Sequence, residues 1–303
     1  MTVAPEPAAR DGVPEAAERR LRSGAWSSGL SVADFATCLQ MGMDPVGFVQ
    51  GYAVMQWSWT TNRFGPSAAW GGFTVPGGGY QENYYCPHGY VSPDHRAYGM
   101  NVEQRWVEDA WNQGWWLAFD RMMDEARQLG AHGVIGVVDD RHPLAGTGTQ
   151  EFSARGTAVV VPGADPPAEP FSTLLAGQRL AKLIEAGFAP VSVVAAASSV
   201  AMLGNCITTY QLSGTSTGWF AGAGAVTEIA QVGRAQWAVR NLAREQARGQ
   251  LHGDTLHGTS MDVFEREMGE GSLAIQCVIR GNRVRRFKDF SPLPAPAPVV
   301  RLT

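Results

Sequence analysis

The chain repeats itself, and that limits its fold more than any bulk property does. Residues 31–57 (SVADFATCLQMGMDPVGFVQGYAVMQW) read as a helix, a glycine turn and a strand, and residues 172–200 (STLLAGQRLAKLIEAGFAPVSVVAAASSV) read the same way. Gly42 falls opposite Gly187, Pro45 opposite Pro190 and Val46 opposite Val191. Ser31 and Ser172 stand where a helix N-cap is expected, and the glycine is a natural C-cap. Downstream, residues 111–129 carry Trp115, Ala118, Met122, Ala126 and Leu129 at three- and four-residue spacing, which predicts an amphipathic helix. Its counterpart is 228–251, with Ile229, Val232, Trp237, Val239, Leu242, Ala243 and Ala247. Each half closes on strand candidates, 152–161 and 273–284, which set Arg155-Gly156 opposite Arg280-Gly281. The predicted fold class is α+β: two tandem copies of a small module of one sheet and two helices.

Domain limits follow from punctuation. Residues 1–25 hold Pro5, Pro7 and Pro14 and a charged run, and predict a flexible lead-in. The first module then covers 26–162, and 163–170 (GADPPAEP) is a linker. The second, diverged module covers 171–290, and 291–303 is a Pro-rich tail. The copies differ most between their first strand and long helix. There the first copy has a Gly-, Tyr- and Trp-rich insertion (57–107) and the second a short polar stretch.

Charge narrows the function classes. Twenty-four Lys and Arg against 28 Asp and Glu give a formal net charge of −4, without the basic surplus of a nucleic-acid binder. Cys38, Cys86, Cys206 and Cys277 form no C-x-x-C pair, so neither a zinc ribbon nor a thioredoxin-like motif is present. The polar N-terminus lacks the apolar core of a secretory signal, and residues 189–206 are too weakly apolar to predict a membrane span. The expected location is the cytoplasm.

The segments RMMDEARQLGAHGVIGVVDDRH and FSARGTAVVV resemble the YbjQ-like heavy-metal-binding domain family. That family shows a helix rich in Ala, Glu and Arg, here 121–129, then a Gly-Ala-x-x-V-x-G-V strand, here 130–137. Its closing Gly-Thr-Ala-Val falls at 156–159. The resemblance covers roughly 51–161; in the second copy the marks become LHGDTLHG and Gly281-Asn282-Arg283-Val284. It implies a compact α+β fold and a ring-like homo-oligomer, commonly a pentamer, with stacked rings as the variant a duplicated chain would allow. It does not imply an enzyme.

The best metal candidate is Cys86 with His88 and His95, a thiolate and two imidazoles suited to zinc or copper, to which Asp94 adds a carboxylate. Three ligands in one loop leave such a site incomplete without a second contributor, and a surface loop packing on a neighbour is the plainer expectation. His252 and His257, with Asp254 between them, would lie roughly 140° apart on a helix and on opposite faces of a strand, so only a turn would join them. His132 aligns only loosely with His252, and the run Asp139-Asp140-Arg141-His142 reads as a solvated turn at the rim before it reads as a cation site. The basic stretch 280–288 reads as a solvated strand edge. No G-x-S-x-G elbow, H-E-x-x-H helix or phosphate loop occurs.

The expectation is a non-enzymatic, homo-oligomeric assembly protein of unknown cellular role. Its aromatic insertion, with Trp70, Tyr80, Tyr84 and Tyr85, would meet subunits or a protein partner. The alternative is a metal-binding or metal-sensing protein using Cys86, His88 and His95. An enzyme whose site forms only between subunits is the third option.

Overall fold

A strand covered by a helix on each face reads as an unbroken apolar run. In the computed structural model, the strand Phe188–Met202 is buried at every position from Val193 onward. The strand Asp44–Gln56 alternates instead: Val49 and Ala53 are buried while Tyr52 and Val54 are exposed, because one of its faces lies open. Within the uncharged stretch at 189–206, the residues up to Met202 thus belong to a doubly covered strand. No helix among the described residues is long and apolar enough to cross a membrane. The structure describes residues 27–56, 97–98, 101–144, 149–204, 208, 212, 228–269 and 272–289.

The first half runs α1 (Val32–Gln40), β1 (Asp44–Gln56), β2 (Ala97–Tyr98), β3 (Asn101–Glu103), α2 (Arg105–Gln128), β4 (Gly133–Leu144) and β5 (Thr149–Val160). The second runs β6 (Phe171–Ser172), α3 (Gly177–Glu185), β7 (Phe188–Met202), α4 (Ala230–Gly249), β8 (Thr255–Gly269) and β9 (Ser272–Arg286). Sheet A has the order β1-β5-β4-β6 and sheet B the order β2-β3-β7-β9-β8. The fold is α+β, as the alternation of periods predicts. Each half contributes one short helix, one long helix and an antiparallel trio, β1-β5-β4 or β7-β9-β8.

The layers alternate as sheet A, α2, sheet B, α4. Trp111, Ala118 and Met122 of α2 join one apolar cluster with Val49, Ala53 and Phe152 of sheet A and with Val193, Ala195, Ala197 and Val278 of sheet B. Leu242, Ala235, Val239 and Ala243 of α4 cover the other side of sheet B, over Val194, Ala196, Ile275 and Ile279. The short helices close one end, where Cys38 of α1 and Leu180 and Leu183 of α3 pack over Ile135, Val159 and Val284. At about 1.5–3 kcal/mol for each large apolar side chain withdrawn from water, these clusters supply the main driving force.

Side chains also close strand edges that would otherwise expose backbone groups. Glu125 Oε2 accepts from Gln50 N at 2.9 Å, and Arg121 Nη1 donates to Tyr52 O at 2.5 Å. On β7, Ala197 N donates to Asn112 Oδ1 at 3.1 Å and Gln250 Nε2 donates to Ala195 O at 2.8 Å.

Irregularities recur at matching places. The register shifts at Pro45/Gly47 in β1 and at Pro190/Ser192 in β7. It shifts again at Ile135/Val138 in β4 and at His257/Ser260 in β8. Those last two bulges contain Gly136 (φ 61°) and Gly258 (φ 63°), in the left-handed region that favours glycine. Arg155 pairs with Gln50 and Val138, and Arg280 with Ala195 and Ser260, so the two Arg-Gly dipeptides hold the same place in their sheets.

Two expectations are corrected. Ser31 caps α1, its Oγ accepting from Asp34 N at 3.1 Å, but Ser172 does not cap α3. Ala176 holds that place without a side-chain bond, and Ser172 Oγ accepts from Val193 N at 2.9 Å. Trp237 was expected among the apolar contacts of its helix, yet it is 63% exposed, because the apolar stripe runs through Ala235, Val239 and Ala243 instead.

Gly51 is where β1 meets α2 most closely: a Cβ there would stand 2.0 Å from Ala118 O and 2.6 Å from Met122 N, both backbone atoms. Gly51→Ala is expected to cost about 3 kcal/mol or more by denaturant unfolding. Gly249→Ala, at the open end of α4 with nothing within 4 Å, is expected to be neutral or slightly stabilising.

Candidate functional site

Polar side chains in a helix that is buried on two sides must find partners within the protein. Glu108 and Asn112 of α2 find theirs on sheet B and α4. Glu108 Oε1 accepts from Ser199 N at 2.8 Å and its Oε2 from Gln246 Nε2 at 2.9 Å. Asn112 Nδ2 donates to Gln246 Oε1 at 3.2 Å, and Ser199 Oγ bonds Gln104 Oε1 at 2.8 Å. Burial pushes the Glu108 carboxyl up to about 7, against the lowering effect of the Ser199 amide, with Glu103 adding to the rise. Burial also raises Asp109, while Arg105 lowers it. Every polar atom of Glu108 is spoken for by an amide, so the group is a structural acid.

Opposite this cluster the sheets meet through charge. Arg280 Nε lies 2.7 Å from Asp139 Oδ2 of sheet A, and its Nη1 lies 3.0 Å from Asp262 Oδ2. Arg141 donates to Gln276 Oε1 at 3.4 Å and sits 5.4 Å from the centroid of the Phe264 ring. Within sheet A, Arg155 pairs with Asp140 at 2.7 Å, the counterpart of Arg280 with Asp262.

A second pair of polar clips ties each sheet to the segment before its short helix. Gly29 N donates to Thr157 Oγ1 at 3.1 Å, and Ser28 Oγ lies 3.5 Å from the same atom. Leu174 N donates to Asn282 Oδ1 at 2.7 Å, and Thr173 Oγ1 donates to it at 2.8 Å. In both clips the residue after next bonds back, Leu30 N to Ser28 Oγ and Leu175 N to Thr173 Oγ1, each at 3.1 Å.

Among the described residues, two surfaces remain open. The outer face of sheet A presents Tyr52, Val54 and Val138, at 46%, 58% and 45% exposure, with Glu151 and the Arg155–Asp140 pair among them. The outer face of α4 presents Arg234, Trp237, Arg244 and Arg248.

The residues singled out from sequence have varied fates. Cys86, His88, His95 and Asp94 lie outside the described residues, as do Trp70, Tyr80, Tyr84 and Tyr85. His252 and His257 are exposed, and Asp254 between them belongs to Arg283 and Arg285, at 2.5 and 3.0 Å. The hydrogen bonds of Arg285 and then Arg283 hold that carboxyl down at about 2. His132 is buried with its Nδ1 accepting from Val161 N at 3.2 Å. The Asp139–His142 run is no turn: it is the second half of β4, held extended by pairing with β5. Nor is 280–288 a strand edge, since β9 lies between β7 and β8, and its arginines serve Asp139, Asp262 and Asp254.

Sequence reasoning passed over Glu108, Asn112 and Gln246. The signal was there: Glu108 precedes Trp111 by three residues, which sets a charge on the helix's buried side.

Among the described residues, no group of three or more His, Cys, Asp or Glu side chains could hold a metal ion. The two described cysteines do not fit one either: both are buried free thiols, and burial pushes Cys277 up to about 11 and raises Cys38.

Comparison with known proteins finds likeness over part of the chain. Residues 102–162, from β3 to just past β5, match the YbjQ family model, whose description reads "Putative heavy-metal-binding". The curated protein named Encapsulin nanocompartment protein Rv1762c, of Mycobacterium tuberculosis (strain ATCC 25618 / H37Rv), is 38% identical over 117 residues. That alignment takes in 36% of this chain and 42% of the relative, less than half the length of either. No solved structure matches the chain.

Glu108 makes stability depend on pH. Its folded value lies above the ordinary 4.5, so its contribution is fully present below about pH 4.5 and is lost as pH rises through about 7. The loss is on the order of 3 kcal/mol. Urea unfolding at pH 5 and pH 8 should show the parent weakening at pH 8. Glu108→Gln should flatten that slope, with Gln246 turning its amide to match; equal slopes in parent and variant would contradict the assignment. A second expectation concerns His252, a non-glycine residue at φ 47° in the turn that Asp254 N closes on Leu251 O at 2.9 Å. His252→Gly should gain about 1 kcal/mol by thermal or chemical unfolding.

Proposed function

We propose that the chain is a non-enzymatic, homo-oligomeric assembly protein built from two tandem copies of a YbjQ-like module, 26–162 and 171–290. The tandem reading is supported by the paired clips (Ser28 and Gly29 on Thr157; Thr173 and Leu174 on Asn282), the paired ion pairs (Arg155–Asp140; Arg280–Asp262) and the paired bulges. Side-chain clips of this detail are hard to reach twice by chance, because each needs a donor, an acceptor and a register in agreement.

One observation carries the assembly reading: within the chain, one unit already stacks on the next through an aromatic-rich helix shared between two sheets. Stacking of this kind leaves a sheet face at one end and a helix face at the other, as repeat architectures do. The likeness to a protein named for an encapsulin nanocompartment supports an assembling role. On this reading the copies form a closed ring, a pentamer or a stacked ring, in the cytoplasm.

The metal reading is kept as second because the family model over 102–162 carries a heavy-metal description. Its ligands would be Cys86, His88 and His95, which precede that match.

Mass photometry of untagged protein at micromolar concentration should give multiples of 32.5 kDa, and a clean monomer would overturn the assembly reading. Elemental analysis of the same sample should find metal well below one equivalent per chain. Stoichiometric zinc or copper, lost in Cys86→Ser, would instead favour the metal-binding alternative.

A further inference from the structure

We infer that copies of the chain join head to tail, the outer face of α4 on one copy docking on the open face of sheet A on the next. This rests on the assembly reading above and names the two surfaces that carry it.

The inference follows from asking what covers each equivalent surface inside the chain. Counting from the shared prolines, Phe48, Gln50 and Tyr52 of β1 stand three, five and seven residues beyond Pro45. Val193, Ala195 and Ala197 of β7 stand at the same distances beyond Pro190. The β7 face is fully covered, by α2. The β1 face is its counterpart and lies open, with Tyr52 and Val54 about half exposed and Val138 beside them.

The covering helix has a counterpart too. Gly114, Ala118 and Met122 lie on sheet A, where a Cβ at Gly114 would meet Phe152 and Met55, and where Gly51 abuts Ala118 and Met122. Ala235, Val239 and Ala243 lie on sheet B with the same spacing. Two residues after Gly114 comes Trp116, part of the ring cluster with Trp115 and Phe119 in the shared core. Two residues after Ala235 comes Trp237, 63% exposed. The same offset carries Phe119 to Arg240 and Met123 to Arg244. So α4 keeps the tryptophan of the stacking face and replaces its apolar neighbours by arginines.

The open sheet face differs from its counterpart in the complementary sense. Ala195 and Ala197 are replaced by Gln50 and Tyr52, and Gln276, the pairing partner of Ser199, is replaced by Glu151, the pairing partner of Val54. Arg155 already neutralises Asp140 on the open face, which leaves the Glu151 carboxylate and the Tyr52 phenol to suit the arginines of α4, with Trp237 as the aromatic anchor. Because the two surfaces are different, the contact is heterologous: it propagates until the ring closes.

A mixing experiment tests this without asking either surface to support the fold, since both target side chains are exposed. Trp237→Glu blocks one surface and Val54→Arg the other. Each variant alone should be monomeric by mass photometry, with unchanged circular dichroism. Mixed one to one, they retain one intact helix face and one intact sheet face, so they should form a dimer and stop there. A mixture that stays monomeric, or either variant assembling like the parent, would overturn the head-to-tail contact while leaving assembly itself in place. A monomeric parent would remove the assembly reading first.

Discussion

Everything in this molecule is arranged around α2, which is buried on both sides. A helix on the surface of a sheet buries one stripe; this one gives Trp111, Ala118 and Met122 to sheet A, and Glu108 and Asn112 to the rim of β7. The stacked pair Trp115 and Phe119, 5.0 Å apart at 13°, fills the space between. Where the helix turns away from water on its two packed sides, its polar residues are compelled to act as fasteners. Glu125 closes the edge of β1, and Glu108 and Asn112 close that of β7. The cost of desolvating Glu108 is offset by two amide donors, and by a proton when one is available.

Much of the fold was legible in the sequence because the same signals recur in both halves. Gly42 with Gly187 and Pro45 with Pro190 mark the same turn and the same bulge in the two halves, and Arg155-Gly156 with Arg280-Gly281 mark the same strand position. The errors arose where two short signals competed. Ser172 looks like a cap, but the true counterpart of Ser28 is Thr173, whose hydroxyl bonds Leu175 N and Asn282. The Asp139–His142 run is polar enough to look like a turn. It is a strand because each charge has a partner across the sheets or between them.

The candidate surfaces were harder to read. Trp237 satisfies a helical period, and nothing local distinguishes a tryptophan that packs inward from one that faces outward. Only the neighbouring arginines at 240 and 244 hinted at it. Likewise the open face of sheet A shows in sequence as simple alternation, which any half-covered strand would give. Its meaning comes from comparison with β7, and that comparison needs the pairing register.

The double covering of β7 also bears on how the chain is made. Val193, Ala195 and Ala197 face a helix that was synthesised some eighty residues earlier, whereas Val194 and Ala196 await one that follows. The second sheet therefore completes its inner face only against the first half. A ribosome delivers the parts in the useful order, offering β7 a finished apolar platform on one side before its other side acquires a cover. Reversing the halves would deprive that strand of its platform at the moment it emerges.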